Sequence, residues 1–244
     1  MPFPHITVAF GGEVTSLSAA MEIGTIDTLL WDWNGTLLDD GDYGVAIINA
    51  MLRRRGMPER ARADHARIFD FPVRVYYERL GFDFEKEPFE VLSHEFVKTY
   101  YAGVYDCPLR PGAEALLGYC RAHGFRQSVL SATHESYLTE LVHRTGVRSF
   151  FEALLGIESV HAPGKTERGM RWLEESGIDP ANVLLIGDTA HDAEVAEAMG
   201  IHCWLVEGGH YDAERLHATG MPVFGGLGAV GEAMKTAHGT GSAV

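Results

Sequence analysis

A chain of 244 residues with 46% apolar side chains can bury a substantial core, either as one large domain or as a core carrying a smaller insertion. Its formal net charge of -14 argues against a nucleic-acid partner, because basic surface supplies most of that affinity. No apolar run reaches membrane-spanning length, and no Lys or Arg precedes Arg53, so neither a membrane partner nor the basic start of a secretory signal is expected. Cys107, Cys120 and Cys203 are widely spaced with no Cys-x-x-Cys pair, which points to a reducing compartment, and a cytoplasmic location follows by elimination.

Along the chain, residues 1–22 are poorly patterned, and Met21 offers an alternative start. The apolar run at 29–33 then delivers Asp32 and breaks into Gly35-Thr36, as a buried strand does when it ends in a sharp turn. From about 40 to 107 the pattern changes to helices at 45–55, 61–69, 73–80 and 88–101, punctuated by Gly56-Met57-Pro58, Phe71-Pro72 and Gly81. Strand-like runs resume at 127–130, 183–186 and 201–206, leading into Ser131-Ala132-Thr133, Gly187-Asp188-Thr189 and Glu207-Gly208-Gly209. Helix-like segments at 113–123, 137–144, 166–176 and 190–198 flank them, and the tail after Lys235 is expected to be mobile. The alternation predicts an α/β core, a doubly wound, Rossmann-like and mostly parallel sheet formed by 1–39 and 108–244, with 40–107 inserted as a helical cap. An insertion at that point must sit beside the strand tips, where open α/β sheets build their sites.

A carboxylate carried to such a tip can serve as nucleophile, metal ligand or both. Four elements fall in order: Asp32-Trp33-Asn34-Gly35-Thr36; Ser131; Lys165 in His161-Ala162-Pro163-Gly164-Lys165; and Gly187-Asp188-Thr189-Ala190-His191-Asp192. Lysine occurs only at Lys86, Lys98, Lys165 and Lys235, which singles out Lys165 in its loop. This series resembles the four motifs of the haloacid dehalogenase (HAD) superfamily, and the insertion resembles the cap of phosphoglycolate-phosphatase-like members. The resemblance implies a Mg²⁺-dependent phosphatase of a small phosphorylated metabolite. Asp32 would form an aspartyl-phosphate, with Ser131 donating to a phosphoryl oxygen and Lys165 offsetting the negative charge. The metal would be held by Asp32, Asp188 and the backbone carbonyl of Asn34, with Asp192 acting through water or a neighbour. Gly35, Thr36 and Ala132 would face the substrate, and Arg74 would reach an anionic group when the cap closes. Helix capping is the plain alternative for Asp188 and Asp192, and packing between helices is the plain alternative for Tyr76 and Tyr77.

The departure is Asn34, which stands where the family motif carries a second Asp, the general acid and base. An amide cannot exchange that proton, and general acid–base catalysis is typically worth about 10²–10⁴-fold. Acyl or aryl phosphates, whose leaving groups are acidic, would suffer least. His134 and His191 are the nearest replacements by sequence. The alternatives are a weakened, HAD-like protein that binds a phosphorylated ligand, or an engineered Asp-to-Asn change made to trap one. The cap lysines Lys86 and Lys98 have acidic or polar neighbours, which disfavours imine chemistry.

Overall fold

Strand β1 (Thr28–Trp31) is buried along its whole length, which a strand achieves at the centre of a sheet covered on both faces. The computed structural model describes residues 26–157 and 164–241, backbone only beyond 236. In it, β1 pairs in parallel with β2 (Arg126–His134) and β4 (Val183–Gly187), and Trp31 stands opposite both Val129 and Ile186. With β3 (Leu154–Ile157), β5 (His202–Val206) and β6 (Val223–Phe224) the sheet runs β3-β2-β1-β4-β5-β6, every pairing parallel.

Four α-helices follow β1 within residues 40–107: α1 (Gly41–Arg54), α2 (Arg62–Ile68), α3 (Val73–Leu80) and α4 (Phe89–Tyr100). Each lies within a few residues of its expected span. Ile47, Ile48, Met51 and Leu52 recur at helical spacing and bury one face of α1, while Tyr76, Tyr77 and Leu80 do the same for α3. The insertion is fastened to the core by the loop after β5 and the short helix that follows it. There Arg62 donates to the Gly209 carbonyl (2.5 Å), the Tyr211 hydroxyl donates to Asp70 (2.6 Å), and Arg215 donates to the carbonyls of Ala66 (3.2 Å) and Phe69.

The period-2 alternation of the strands sorts the rest of the core. Leu29, Trp31, Val129, Leu184 and Ile186 face one layer, which contains α5 (Ala113–Ala122), α6 (Glu135–Arg144) and α10 (Leu227–Gly241). Leu30, Leu130, Leu185 and Leu205 face the other, which contains α7 (Lys165–Ser176), α8 (Ala190–Met199) and α9 (Ala213–His217). A buried amide on β2 is satisfied: Gln127 accepts from the Trp31 indole (3.1 Å) and donates to the Leu117 carbonyl (3.0 Å).

Two short strands and two helices, β3, β6, α9 and α10, go beyond the sequence reading. β3 has four residues and β6 two, too short for a period to register. Helix α10 contains Gly228 and Gly231, which disfavour a helix on propensity alone; it is held by Leu227, Val230 and Met234 in the core. It also continues to Gly241, where the sequence suggested a mobile tail. Residues 1–25, with the unpatterned start and Met21, and 158–163, with His161, Ala162 and Pro163, lie outside the described residues. Among the described residues no helix is long and apolar enough to cross a membrane, and the three cysteines are free.

Candidate active site

Strands β1, β2 and β4 end on one edge, where connections from β1 and β4 diverge in opposite directions across the sheet, the crevice in which such folds take ligands. Asp32 follows β1, held by its N–H on the Ile186 carbonyl (2.9 Å). The chain then closes a tight loop in which the N–H groups of Leu37 and Leu38 both donate to the Trp33 carbonyl. Gly35 makes this loop possible: its φ is +76°, and a Cβ there would run into Asp188 and His210. Ser131 lies on β2 itself, since that strand runs on to His134. Lys165 is the first residue of α7; Asp188 follows β4; Asp192 sits in the first turn of α8.

These residues meet in a buried charge cluster. Lys165 Nζ donates to Asp32 Oδ1 and Asp192 Oδ1, both at 2.5 Å. Asp32, Asp188 and Asp192 can each offer an oxygen within 4.8 Å of the others'. The Thr36 hydroxyl donates to Asp188 (2.8 Å) and lies 3.3 Å from Asp32 Oδ2. Asp192 also performs the capping expected of it, accepting from the Thr189 N–H (3.0 Å) and hydroxyl (2.7 Å). Burial pushes the Asp32 carboxyl up to about 8; Lys165 pulls the other way, and the charges of Asp192 and Asp188 add to the rise. Burial likewise raises Asp188, against the pull of His210. Burial would lower Lys165, but Asp192 and Asp32 more than offset it and the ammonium stays charged. In turn Lys165 overcomes the effect of burial on Asp192 and holds that carboxylate low.

Asn34 points into a second, neighbouring network. Its Nδ2 donates to the Tyr100 hydroxyl (2.8 Å) and to Asp40 Oδ2 (3.1 Å), and its Oδ1 accepts from the Thr133 hydroxyl (2.7 Å). Asp40 is buried and also accepts from Tyr100 (2.5 Å) and the Gly35 N–H (2.8 Å), with His210 Nε2 3.5 Å away. Burial would raise Asp40; His210 and these donors bring it below its ordinary value. Burial would lower His210, but Asp40 and Asp188 raise it to about 9. The His210 N–H donates to Asp188 (2.6 Å), so one loop joins the two networks.

Above them lies a cavity of about 260 Å³ between sheet edge and insertion, lined by Asp32, Asn34, Ser131, Ala132, Lys165 and Asp192 from below and by rings from above. Gly35, Thr36 and Arg74 are absent from its lining. The Thr36 hydroxyl is occupied by carboxylates, and the Arg74 guanidinium lies over the Phe84 ring (4.4 Å), 3.5 Å from Glu78. Trp33 is fully buried in the core. Tyr76 and Tyr77 pack between helices and also border the cavity. His191 borders the cavity, beside the Phe71 ring and 3.2 Å from Glu194, whereas exposed His134 caps α6 by accepting from the Ser136 N–H (3.3 Å). Asp40, Tyr100, Thr133 and His210 are the neighbours that sequence reasoning missed. A signal for His210 exists: Gly208-Gly209 follows a strand that ends on the active-site edge, so the next side chain lands there.

The family model for haloacid dehalogenase-like hydrolases matches residues 29–206, from β1 to the end of β5. A phosphoglycolate phosphatase of Neisseria meningitidis is 27% identical over 192 residues, 75% of this chain and 80% of its own. Among solved structures, a haloacid dehalogenase-like hydrolase of Streptococcus pneumoniae superposes with a TM-score of 0.70 at 20% identity, covering 82% of this chain and 93% of its own. The Protein Tyrosine Kinase A of Mycobacterium tuberculosis superposes with 0.72 at 21%, covering 86% and 98%. Similarity of fold at these identities leaves the reaction to be argued from the site. With its matched span covering all four motifs and the strands that carry them, the chain belongs to the haloacid dehalogenase-like hydrolase family.

Proposed function

We propose that this hydrolase is a Mg²⁺-dependent phosphomonoesterase of a small phosphorylated molecule, with Asp32 as nucleophile. The observation that carries the reading is the Asp32 carboxylate at the floor of the cavity, 2.5 Å from a buried ammonium and grouped with the carboxylates of Asp188 and Asp192. Buried acids gathered this closely, all hard oxygen donors, fit a small divalent cation. Asp32 and Asp188, with the Asn34 backbone carbonyl, would hold Mg²⁺, which would neutralise charge on the phosphoryl oxygens.

Asp32 attacks phosphorus in line with the leaving oxygen, and the phosphoryl group passes to its carboxylate. Ser131 is buried beside Asp32 and donates to a phosphoryl oxygen, while Lys165 keeps Asp32 and Asp192 paired and supplies fixed positive charge. Asp192, fixed by Thr189 and Lys165, orients rather than reacts. Asn34 positions Asp40, Tyr100 and Thr133 and transfers no proton. The insertion is a cap that closes off water from the site. The three free cysteines support a reducing, cytoplasmic setting.

The test is phosphate release with and without Mg²⁺ from small phosphates, with Asp32→Ala as the blank. Mg²⁺-dependent release above the blank is expected. Rates equal to the blank for every ester would move the protein to the other reading, a binder of phosphorylated ligands.

A further inference from the structure

We infer that the ester accepted by this cavity is an aryl phosphate, a single aromatic ring joined through its phenolic oxygen to the phosphoryl group. The inference rests on the phosphomonoesterase reading above and names its substrate class.

The wall facing Asp32 is aromatic. Phe69, Phe71, Tyr76, Phe96, Tyr100 and Tyr101 converge on the cavity from the insertion and the segment that closes it. Phe96 is stacked on Tyr100 with centroids 5.6 Å apart, and Phe69 meets Tyr76 edge-on at 5.1 Å. An apolar cavity of about 150 Å³ takes up benzene, so 260 Å³ has room for one ring together with a phosphoryl group.

The same wall offers no free positive charge for a second anionic group. Among the described lining residues, Lys165 is held between Asp32 and Asp192. Arg62 donates to the Gly209 carbonyl and lies 3.3 Å from Asp42. His65, hydrogen-bonded to Tyr76 and Asn49, is kept neutral because burial and nearby arginines push it down to about 4. His210 faces Asp40, and His191 faces Glu194. A carboxylate placed among the rings would be desolvated with no unengaged cation to compensate it.

The floor selects the same chemistry. Each polar group of the Asn34 amide is engaged, and none can release a proton to a departing oxygen. A phenol needs none. As the bond from Asp32 to phosphorus forms, the bond from phosphorus to the aryl oxygen breaks and its electron pair leaves on oxygen as phenolate, which takes a proton from water after departure. Water then adds to phosphorus, the bond to Asp32 breaks, and phosphate, the Asp32 carboxylate and a proton are released.

Two measurements on the full chain with Mg²⁺ separate this inference from the reading beneath it. Calorimetry compares phenylphosphonate with methylphosphonate, which cannot turn over. Phenylphosphonate is expected to bind at least tenfold tighter, with the ratio collapsing in Phe96→Ala and Phe71→Ala. Kinetics compare phenyl phosphate with phosphoglycolate. The aryl ester is expected to be favoured at least tenfold in kcat/KM, with Phe96→Ala raising KM more than it lowers kcat. Equal phosphonate affinities, or a preference for phosphoglycolate with release still above the Asp32→Ala blank, overturn the aryl inference and leave the phosphatase intact. No release from any ester overturns the phosphatase, and the phosphonate ratio then decides alone whether the wall recognises a ring.

Discussion

On the sheet edge Asp32, Asp188, Asp192 and Lys165 each meet a partner within hydrogen-bond reach, whereas the helical wall above faces the same cavity with rings. The edge is built by strand ends and helix starts, which fix carboxylates and an ammonium to within the precision of the sheet. The wall is built by the packing of four short helices and fastened by side chains such as Arg62, Tyr211 and Arg215. Under the proposed function the contrast would separate two properties: the edge would define what is done to a phosphoryl group, and the wall which group it arrives on.

Removing the buried Lys165 ammonium should break the edge most severely. Lys165→Met leaves three close carboxylates without their counter-charge. Phosphate release should fall to the Asp32→Ala blank, and urea unfolding should show a loss of about 3–5 kcal/mol. Next is Asn34→Asp, which places a carboxyl against Asp40 where the Asn34 amide now donates a 3.1 Å hydrogen bond. Two acids that close share a proton. Alkyl phosphates should gain about 10²–10⁴-fold, and the rate should depend less steeply on leaving-group acidity while the phosphonate affinity ratio stays put. A rate plot of unchanged slope would mean that Asn34 does not set the dependence on the leaving group.

The wall has its own sensitivity, to acid. His65 on α2 is held neutral, at about 4 against an ordinary 6.5, with burial the main cause. A depressed pKa contributes stability that is present above the unfolded value and lost as pH falls from about 6.5 towards 4. The loss is up to about 3 kcal/mol, seen as a falling melting temperature that His65→Phe should flatten. The smallest effect belongs to the fastening. Tyr211→Phe removes the hydroxyl donated to Asp70 and should cost about 1 kcal/mol, with KM rising and little change in kcat.

The edge was largely legible because its residues follow apolar runs directly in the chain: Asp32 after Trp31, Asp188 after Gly187 and Ser131 after Leu130. Lys165 stood out by the rarity of lysine. The network around Asn34 was not legible, since Tyr100 and Thr133 reach Asn34, and His210 reaches Asp40, only through tertiary packing across long separations in the chain. Arg74 looked like a ligand contact because it follows Pro72 on a helix start, yet the helical phase of α3 turns it outward to Phe84 while Tyr76 and Tyr77 face in. In the fold, the long buried strands could be read from their apolar runs, whereas β6 depends on a neighbour, β5, to exist as a strand at all.

The central claim is that Asp32 receives the phosphoryl group. Phenyl phosphate mixed with the protein and Mg²⁺, quenched in acid during turnover and digested for peptide mass spectrometry, reads this out directly. One phosphoryl group on the peptide that carries Asp32, absent in Asp32→Ala, is the predicted result. Phosphate release that proceeds with no modified Asp32, or with the group on another side chain, would contradict it.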